Sequence, residues 1–125
     1  METREKTILI VDDEEDIREL VEITLEDSQY HLCTAGDGKA GLEAIQQQRP
    51  DLVILDWMMP RLSGLEVVRK LREDPRTASI PVVFLTSQDA SDHQEDVRAL
   101  GIFSYLHKPF SPLELIQTVQ KALAG

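Results

Sequence analysis

The sequence is short of the features that would brace a small secreted domain or anchor one in a bilayer. Cys33 is the only cysteine, so no internal disulfide can form, and a reducing compartment is compatible with that. No run of about 18 apolar residues is available to cross a membrane, and the opening METREKT has no apolar signal core. A cytoplasmic protein with no membrane segment is therefore expected. Positive charge is also scarce: 13 Lys and Arg stand against 23 Asp and Glu, a net charge of −10. Phosphate backbones attract basic surfaces, so direct binding of nucleic acid by this chain is not expected. No G-x-x-x-x-G-K-[ST] segment exists for a P-loop nucleotide site. His31, His93 and His107 lack the spacing of metal ligands and read as ordinary surface or strand residues. No linker, low-complexity tract or repeat breaks the chain, and 125 residues suit one domain with its own core. No output domain is expected beyond the last helix.

What is present is a rhythm. Short apolar runs at Thr7–Val11, Tyr30–Thr34, Leu52–Leu55, Val82–Leu85 and Ile102–Leu106 read as strands buried on both faces. Helical periodicity fills the intervals. The first helix is expected to be capped by Asp13, with Ile17, Leu20, Val21 and Leu25 on its inner face. The second begins at Asp37 and turns Ala40, Ala44 and Ile45 inward. Ser63 and Glu66 make a capping box for the third, which stops at Asp74-Pro75. Ser91 and Gln94 make a similar box for the fourth, closed by Gly101. The fifth opens on Ser111-Pro112 with Glu114, and its inner face carries Leu115, Ile116, Val119 and Leu123. Five β-α units in succession predict a parallel sheet with right-handed crossovers.

Ligands of such sheets sit beyond the carboxyl ends of the strands. Asp12 and Asp13 follow the first strand, Asp56 the third, Thr86 and Ser87 the fourth, and Lys108-Pro109 the fifth. Taken singly, these aspartates also suit turns or helix caps. If the first and third strands are neighbours, three carboxylates meet at one rim. Two carboxylates about 4 Å apart repel by roughly 4 kcal/mol at an effective dielectric near 20, so a proton or a cation must sit among them. An all-oxygen donor set suits Mg²⁺. With Lys108 as a cation and Thr86 as a hydroxyl donor, the set matches the needs of phosphoryl transfer to a carboxylate.

The stretches ILIVDDEEDIREL, PDLVILDWMMPRLSGLEV, IPVVFLTSQ and YLHKPFSPLEL resemble, in order and at family spacing, the signature segments of CheY-like receiver domains of two-component response regulators. The resemblance covers essentially the whole chain. It implies a flavodoxin-like, doubly wound α/β fold of five parallel strands in the family's order 2-1-3-4-5, with five helices. It implies that Asp56 is the phosphoacceptor. Mg²⁺ (or Mn²⁺) would bind Asp13, Asp56 and the Met58 backbone carbonyl, with Asp12 acting through water. Lys108 would pair with the phosphoryl oxygens and precede a cis proline. Thr86 would hydrogen-bond the phosphoryl group, and Tyr105 would swing inward with it, changing the surface of helix 4, strand 5 and helix 5. Small Ser87 leaves the acceptor accessible. The implied partners are a sensor histidine kinase or a histidine phosphotransfer protein, and a downstream protein target.

Two departures from relatives bear on behaviour. DNA-binding members carry an acidic pair just before the tyrosine, used in a dimer across helix 4, strand 5 and helix 5. Here the segment is Gly101-Ile102-Phe103-Ser104-Tyr105, so a monomer or weak dimer is expected. Met58 stands two residues after the acceptor and Gln88 two after Thr86, positions that govern water access. Apolar Met58 predicts a fairly long-lived phosphoprotein.

Competing readings are weighed on the same residues. Gly36-Asp37-Gly38-Lys39-Ala40-Gly41 fits G-x-G-x-x-G, with Asp56 twenty residues beyond. It follows the second strand rather than the first, and Asp37 would oppose a pyrophosphate. An aspartate-nucleophile phosphohydrolase would need an acid where Met58 stands, and methionine cannot transfer a proton. A receiver-like scaffold that is never phosphorylated would not need the full set of Asp12, Asp13, Asp56, Thr86 and Lys108.

Overall fold

The computed structural model describes residues 5–26, 29–87 and 94–124. Five strands, β1 (Lys6–Val11), β2 (Tyr30–Ala35), β3 (Leu52–Asp56), β4 (Val82–Thr86) and β5 (Ser104–His107), alternate with α1 (Glu15–Leu25), α2 (Gly38–Gln48), α3 (Gly64–Glu73), α4 (Gln94–Ala99) and α5 (Pro112–Ala124). The strands form one parallel sheet in the order β2-β1-β3-β4-β5. Strand order reverses beside β1, so β1 and β3 are neighbours, as the carboxylate argument required. Four helices of ten residues or more pack on the sheet; the fourth expected helix is described only as the six-residue α4. Ser91, its expected cap, and His93 and Gln88 lie outside the described residues.

The core has two layers. On one face Leu9, Val11, Val53, Leu55, Val82 and Phe84 meet Ile45 of α2 and Val67, Val68 and Leu71 of α3. On the other Ile8, Ile10, Ile54, Val83 and Leu85 meet Val21 and Leu25 of α1 and Leu115 and Val119 of α5. All of β3 and β4 is buried, which explains why those segments read as unbroken apolar runs rather than alternating ones. No helix among the described residues is long and apolar enough to cross a membrane.

Most of the punctuation works as written. Asp37 caps α2 by accepting from the Ala40 amide at 2.7 Å. Ser63 and Glu66 form the full capping box of α3, and Asp74 ends it. The Ser111 hydroxyl accepts from the Glu114 amide at 3.1 Å, and Gly101, at φ 64°, closes α4 with its amide on the Arg98 carbonyl. Three readings need correction. Glu14 rather than Asp13 is the N-cap residue of α1, and its side chain makes no cap bond; Asp13 is left to the site. Leu20 is 42% exposed, because the inward stripe of α1 runs through Ile17, Val21 and Leu25. β5 begins at Ser104, since Ile102 packs against the core before the strand starts.

Arg72, which the sequence did not single out, ties two connections together. From the last turn of α3 it donates to the carbonyls of Ala78 at 2.9 Å, Ile80 at 2.8 Å and Leu100 at 2.7 Å. It thereby braces both the entry to β4 and the turn after α4. Gly64 is fixed by close approach: a Cβ there would lie 2.4 Å from the Asp56 carbonyl oxygen and 2.8 Å from the Phe84 ring. Backbone cannot yield as a flexible side chain would. Gly64→Ala is therefore expected to cost about 2 kcal/mol or more in denaturant unfolding, with a weaker response to Mg²⁺ because the strain falls on Asp56 itself.

Candidate functional site

Each acidic side chain reaches the rim by a different strand. β1 runs out at Val11 and delivers Asp12 and Asp13; β3 ends on Asp56. Asp12 is wholly buried, Asp56 is 5% exposed and Asp13 is open to solvent. One carboxylate oxygen from each lies within 4.8 Å of the others. Asp12 is held by its own neighbourhood. Its Oδ1 accepts from the Glu14 amide at 2.8 Å, and its carbonyl accepts from Arg18 at 2.7 Å. Asp56 Oδ1 accepts from the Met58 amide at 3.4 Å. The loop after it is pinned by the Trp57 amide on the Leu85 carbonyl at 2.8 Å and the Gly64 amide on the Trp57 carbonyl at 3.0 Å. The Trp57 ring meets Phe84 edge-on, with centroids 4.6 Å apart.

Lys108 enters from the end of β5. Its ammonium lies 3.0 Å from Asp12 Oδ2, 3.4 Å from Asp56 Oδ1 and 3.6 Å from Glu14 Oε2. The peptide bond to Pro109 is cis, and the Lys108 amide donates to the Thr86 carbonyl at 2.6 Å. Thr86 is buried at the end of β4. Met58 is 56% exposed at the mouth, while Tyr105 is 44% exposed on β5. Tyr105 is in register with Phe84, so Thr86, two residues on from Phe84, is its diagonal neighbour on the same sheet face. Five of the anticipated residues thus come together at one rim: Asp12, Asp13, Asp56, Thr86 and Lys108. Met58 borders them, and Tyr105 stands one step away. His31 and His107 are exposed strand residues outside the cluster.

Three residues here had gone unremarked as site residues. Glu14 faces Lys108, Arg18 holds the Asp12 backbone, and Gly64 permits close approach to Asp56. Only Gly64 left a signal, as the small residue straight after a capping serine.

Charge at the rim is unbalanced. Three carboxylates share one close ammonium, and the consequence appears on Asp56. Burial pushes its carboxyl up from 3.8 to about 7; repulsion from Asp12 and a hydrogen bond with Asp13 add to that, against the pull of Lys108. Burial pulls the Lys108 ammonium down, but its bond to Asp12 and the charges of Asp56, Asp12 and Glu14 outweigh this and hold it above the ordinary lysine value. A cluster of hard oxygen donors with surplus negative charge fits a divalent hard cation such as Mg²⁺.

Comparison with known proteins places this geometry. The response regulator receiver domain family matches residues 8–120. The chain belongs to that family, the receivers of two-component signalling. It is 40% identical over 118 residues to the phosphate regulon transcriptional regulatory protein PhoB of Pseudomonas aeruginosa, covering 94% of this chain and 52% of that one. It is equally identical over 118 residues to the alkaline phosphatase synthesis transcriptional regulatory protein PhoP of Bacillus subtilis, covering 94% and 48%. The chain spans about half the length of these relatives. Among solved structures, the chemotaxis protein CheY4 of Vibrio cholerae superposes with a TM-score of 0.90 at 34% identity, over 96% of this chain and all of that one.

The raised Asp56 carboxyl sets a pH dependence. Between its ordinary value of 3.8 and about 7, the folded metal-free protein holds a proton that the unfolded chain has released. The contribution of this group to stability therefore falls as pH rises through that window. Metal-free thermal unfolding should drop between about pH 5 and pH 7.5, and Asp56→Asn should flatten the slope. Since a divalent cation needs the carboxylate, Mg²⁺ affinity followed by Trp57 fluorescence should weaken as pH falls below about 7. Affinity unchanged down to about pH 5 would contradict this account.

Proposed function

We propose that this chain is a phosphorylation-dependent signalling switch in which Asp56 accepts a phosphoryl group from a sensor histidine kinase or a histidine phosphotransfer protein. One observation carries the reading. Three carboxylates lie within 4.8 Å of one another, with the Lys108 ammonium 3.0 Å from Asp12 and 3.4 Å from Asp56. A structural ion pair has no need of two further carboxylates on the same rim. Residues 1–125 are read as one receiver unit that presents its switch to a downstream protein, as a monomer or weak dimer in the cytoplasm.

The roles divide by position. An Asp56 oxygen forms the new bond to phosphorus as the donor's own bond to phosphorus breaks. Lys108, already beside that oxygen, pairs with the phosphoryl oxygens, and the Thr86 hydroxyl donates to them. Asp13, Asp56 and the Met58 carbonyl would hold Mg²⁺ or Mn²⁺, with Asp12 acting through water. When bound, that ion neutralises charge on the carboxylates and the transferring group. The added charge of about −1.5 to −2 draws Thr86 toward the site. Tyr105, exposed on the same face, follows it inward. The surface of α4, β5 and α5 thereby takes a second arrangement that a partner can read. The chain assists its own phosphorylation and dephosphorylation, but no turnover activity is proposed.

Incubation with acetyl phosphate and Mg²⁺, read by intact-protein mass spectrometry, tests this. One added phosphate is expected on the protein and none on Asp56→Asn or in excess chelator. Steady release of phosphate with rapid turnover would indicate a phosphohydrolase; no mass gain at saturating donor and metal would leave a scaffold. A separate test concerns lifetime. Met58, exposed two residues after Asp56, offers no group to orient water, so Met58→Asn should hasten loss of the phosphoryl group several-fold, measured as decay of the phosphoprotein after donor removal.

A further inference from the structure

A largely apolar hollow on the described surface is lined by none of the residues of the acidic rim. A groove of about 420 Å³ runs between α2, α3 and the β3–α3 loop. Leu42, Pro60 and Leu62 contribute its apolar walls, and Lys39, Arg61 and Lys70 stand around it. All three cations are exposed, and among the described residues none has a carboxylate within salt-bridge distance. In a chain of net charge −10, such a concentration of unpaired positive charge is a local exception. Of the two acids on the same lining, Asp37 is turned onto the start of α2 as its cap. Two acids stand against three cations on the lining.

The groove is also built rather than incidental. A Cβ on Gly38 would fall 2.7 Å from the Leu62 carbonyl oxygen, so the start of α2 is pressed against the loop that forms the opposite wall. Arg61 holds a φ of 72°, a left-handed conformation that arginine rarely adopts. That conformation belongs to the loop between Pro60 and Leu62 that lines the groove.

We infer that this α2–α3 groove is a docking site for a polypeptide segment of a partner protein that carries aliphatic side chains flanked by carboxylates. An aliphatic side chain fits the apolar walls. Carboxylates complement Lys39, Arg61 and Lys70, where the rest of an acidic surface would repel them. A half-open trough between two helices suits a segment laid along it better than an enclosed metabolite. None of the residues proposed for phosphorylation lines the groove, so the inference does not depend on that reaction.

The test is an amide-shift titration of the folded, unphosphorylated protein with defined probes. A peptide of about twelve residues, with leucines at helical spacing flanked by glutamates, should perturb amides within 38–46 and 60–70. Lys39→Glu combined with Lys70→Glu should weaken it about tenfold or more while leaving the Mg²⁺ response at the acidic rim intact, which also reports that the variant is folded. Leu42→Asp should weaken it as well. The inference is overturned if the peptide leaves those amides unmoved at about 1 mM, or binds the double variant equally well. It is overturned too if inorganic phosphate alone or phosphatidylglycerol vesicles reproduce the same shifts, since the groove would then be an anion or membrane site. Loss of Mg²⁺ binding or phosphorylation would strike the switch reading and leave this one standing.

Discussion

Repulsion among three aspartates at the carboxyl edge of the sheet is the constraint around which the rest of the molecule is arranged. Carboxylates within 4.8 Å of one another are tolerable only with a compensating cation or proton, and Lys108 supplies part of the balance from the end of the edge strand β5. Its reach depends on β5 ending where it does and on its amide being held by the Thr86 carbonyl. Burial, which would ordinarily be avoided for such groups, is the main cause that pushes the Asp56 carboxyl up toward neutral pH. The strain is local: surplus carboxylate charge at one rim suits a divalent cation, and it lies at the position proposed to accept phosphate.

Holding that rim in place is the task of a two-layered aliphatic core. β3 is buried along its whole length between the two layers, so Asp56 cannot shift without disturbing both. Gly64 returns the chain so close to the Asp56 carbonyl that no side chain fits between them. Arg72 braces the far ends of β4 and α4. The rigid part of the protein thus lies under β1 and β3. The partly exposed Tyr105, on the edge strand β5, is where an altered arrangement can reach the surface without breaking the core. The α2–α3 groove is lined by other residues, none of them on β5.

The order of elements was plain from the chain alone. Unbroken aliphatic runs over β3 and β4 need two covering layers, and the capping signals at Asp37, Ser63 and Ser111 act locally, through bonds to amides three residues away. Local chemistry of that kind is legible because it involves no distant partner. Errors arose where distant packing decided the outcome. Asp13 looks like a helix cap, yet Glu14 takes that position and Asp13 stands beside Asp12 and Asp56. Leu20 suits an inward stripe, yet the residues of α1 that meet the core are Ile17, Val21 and Leu25, and Leu20 is left exposed. Arg72 and Arg18 gave no sign of their roles, because their acceptors are backbone carbonyls that any sequence would offer.

The sequence by itself determined that the candidate residues follow the ends of strands: period and turn signals place Asp12, Asp13, Asp56, Thr86 and Lys108 in register with the β-α rhythm. Only the tertiary structure decided how near they come and what that does to them. Strand neighbours are set by crossovers and burial rather than by adjacency in the chain. The distances between Lys108 and the two buried aspartates, the upward push on Asp56, and the cationic groove between α2 and α3 all arise from contacts between segments far apart in sequence.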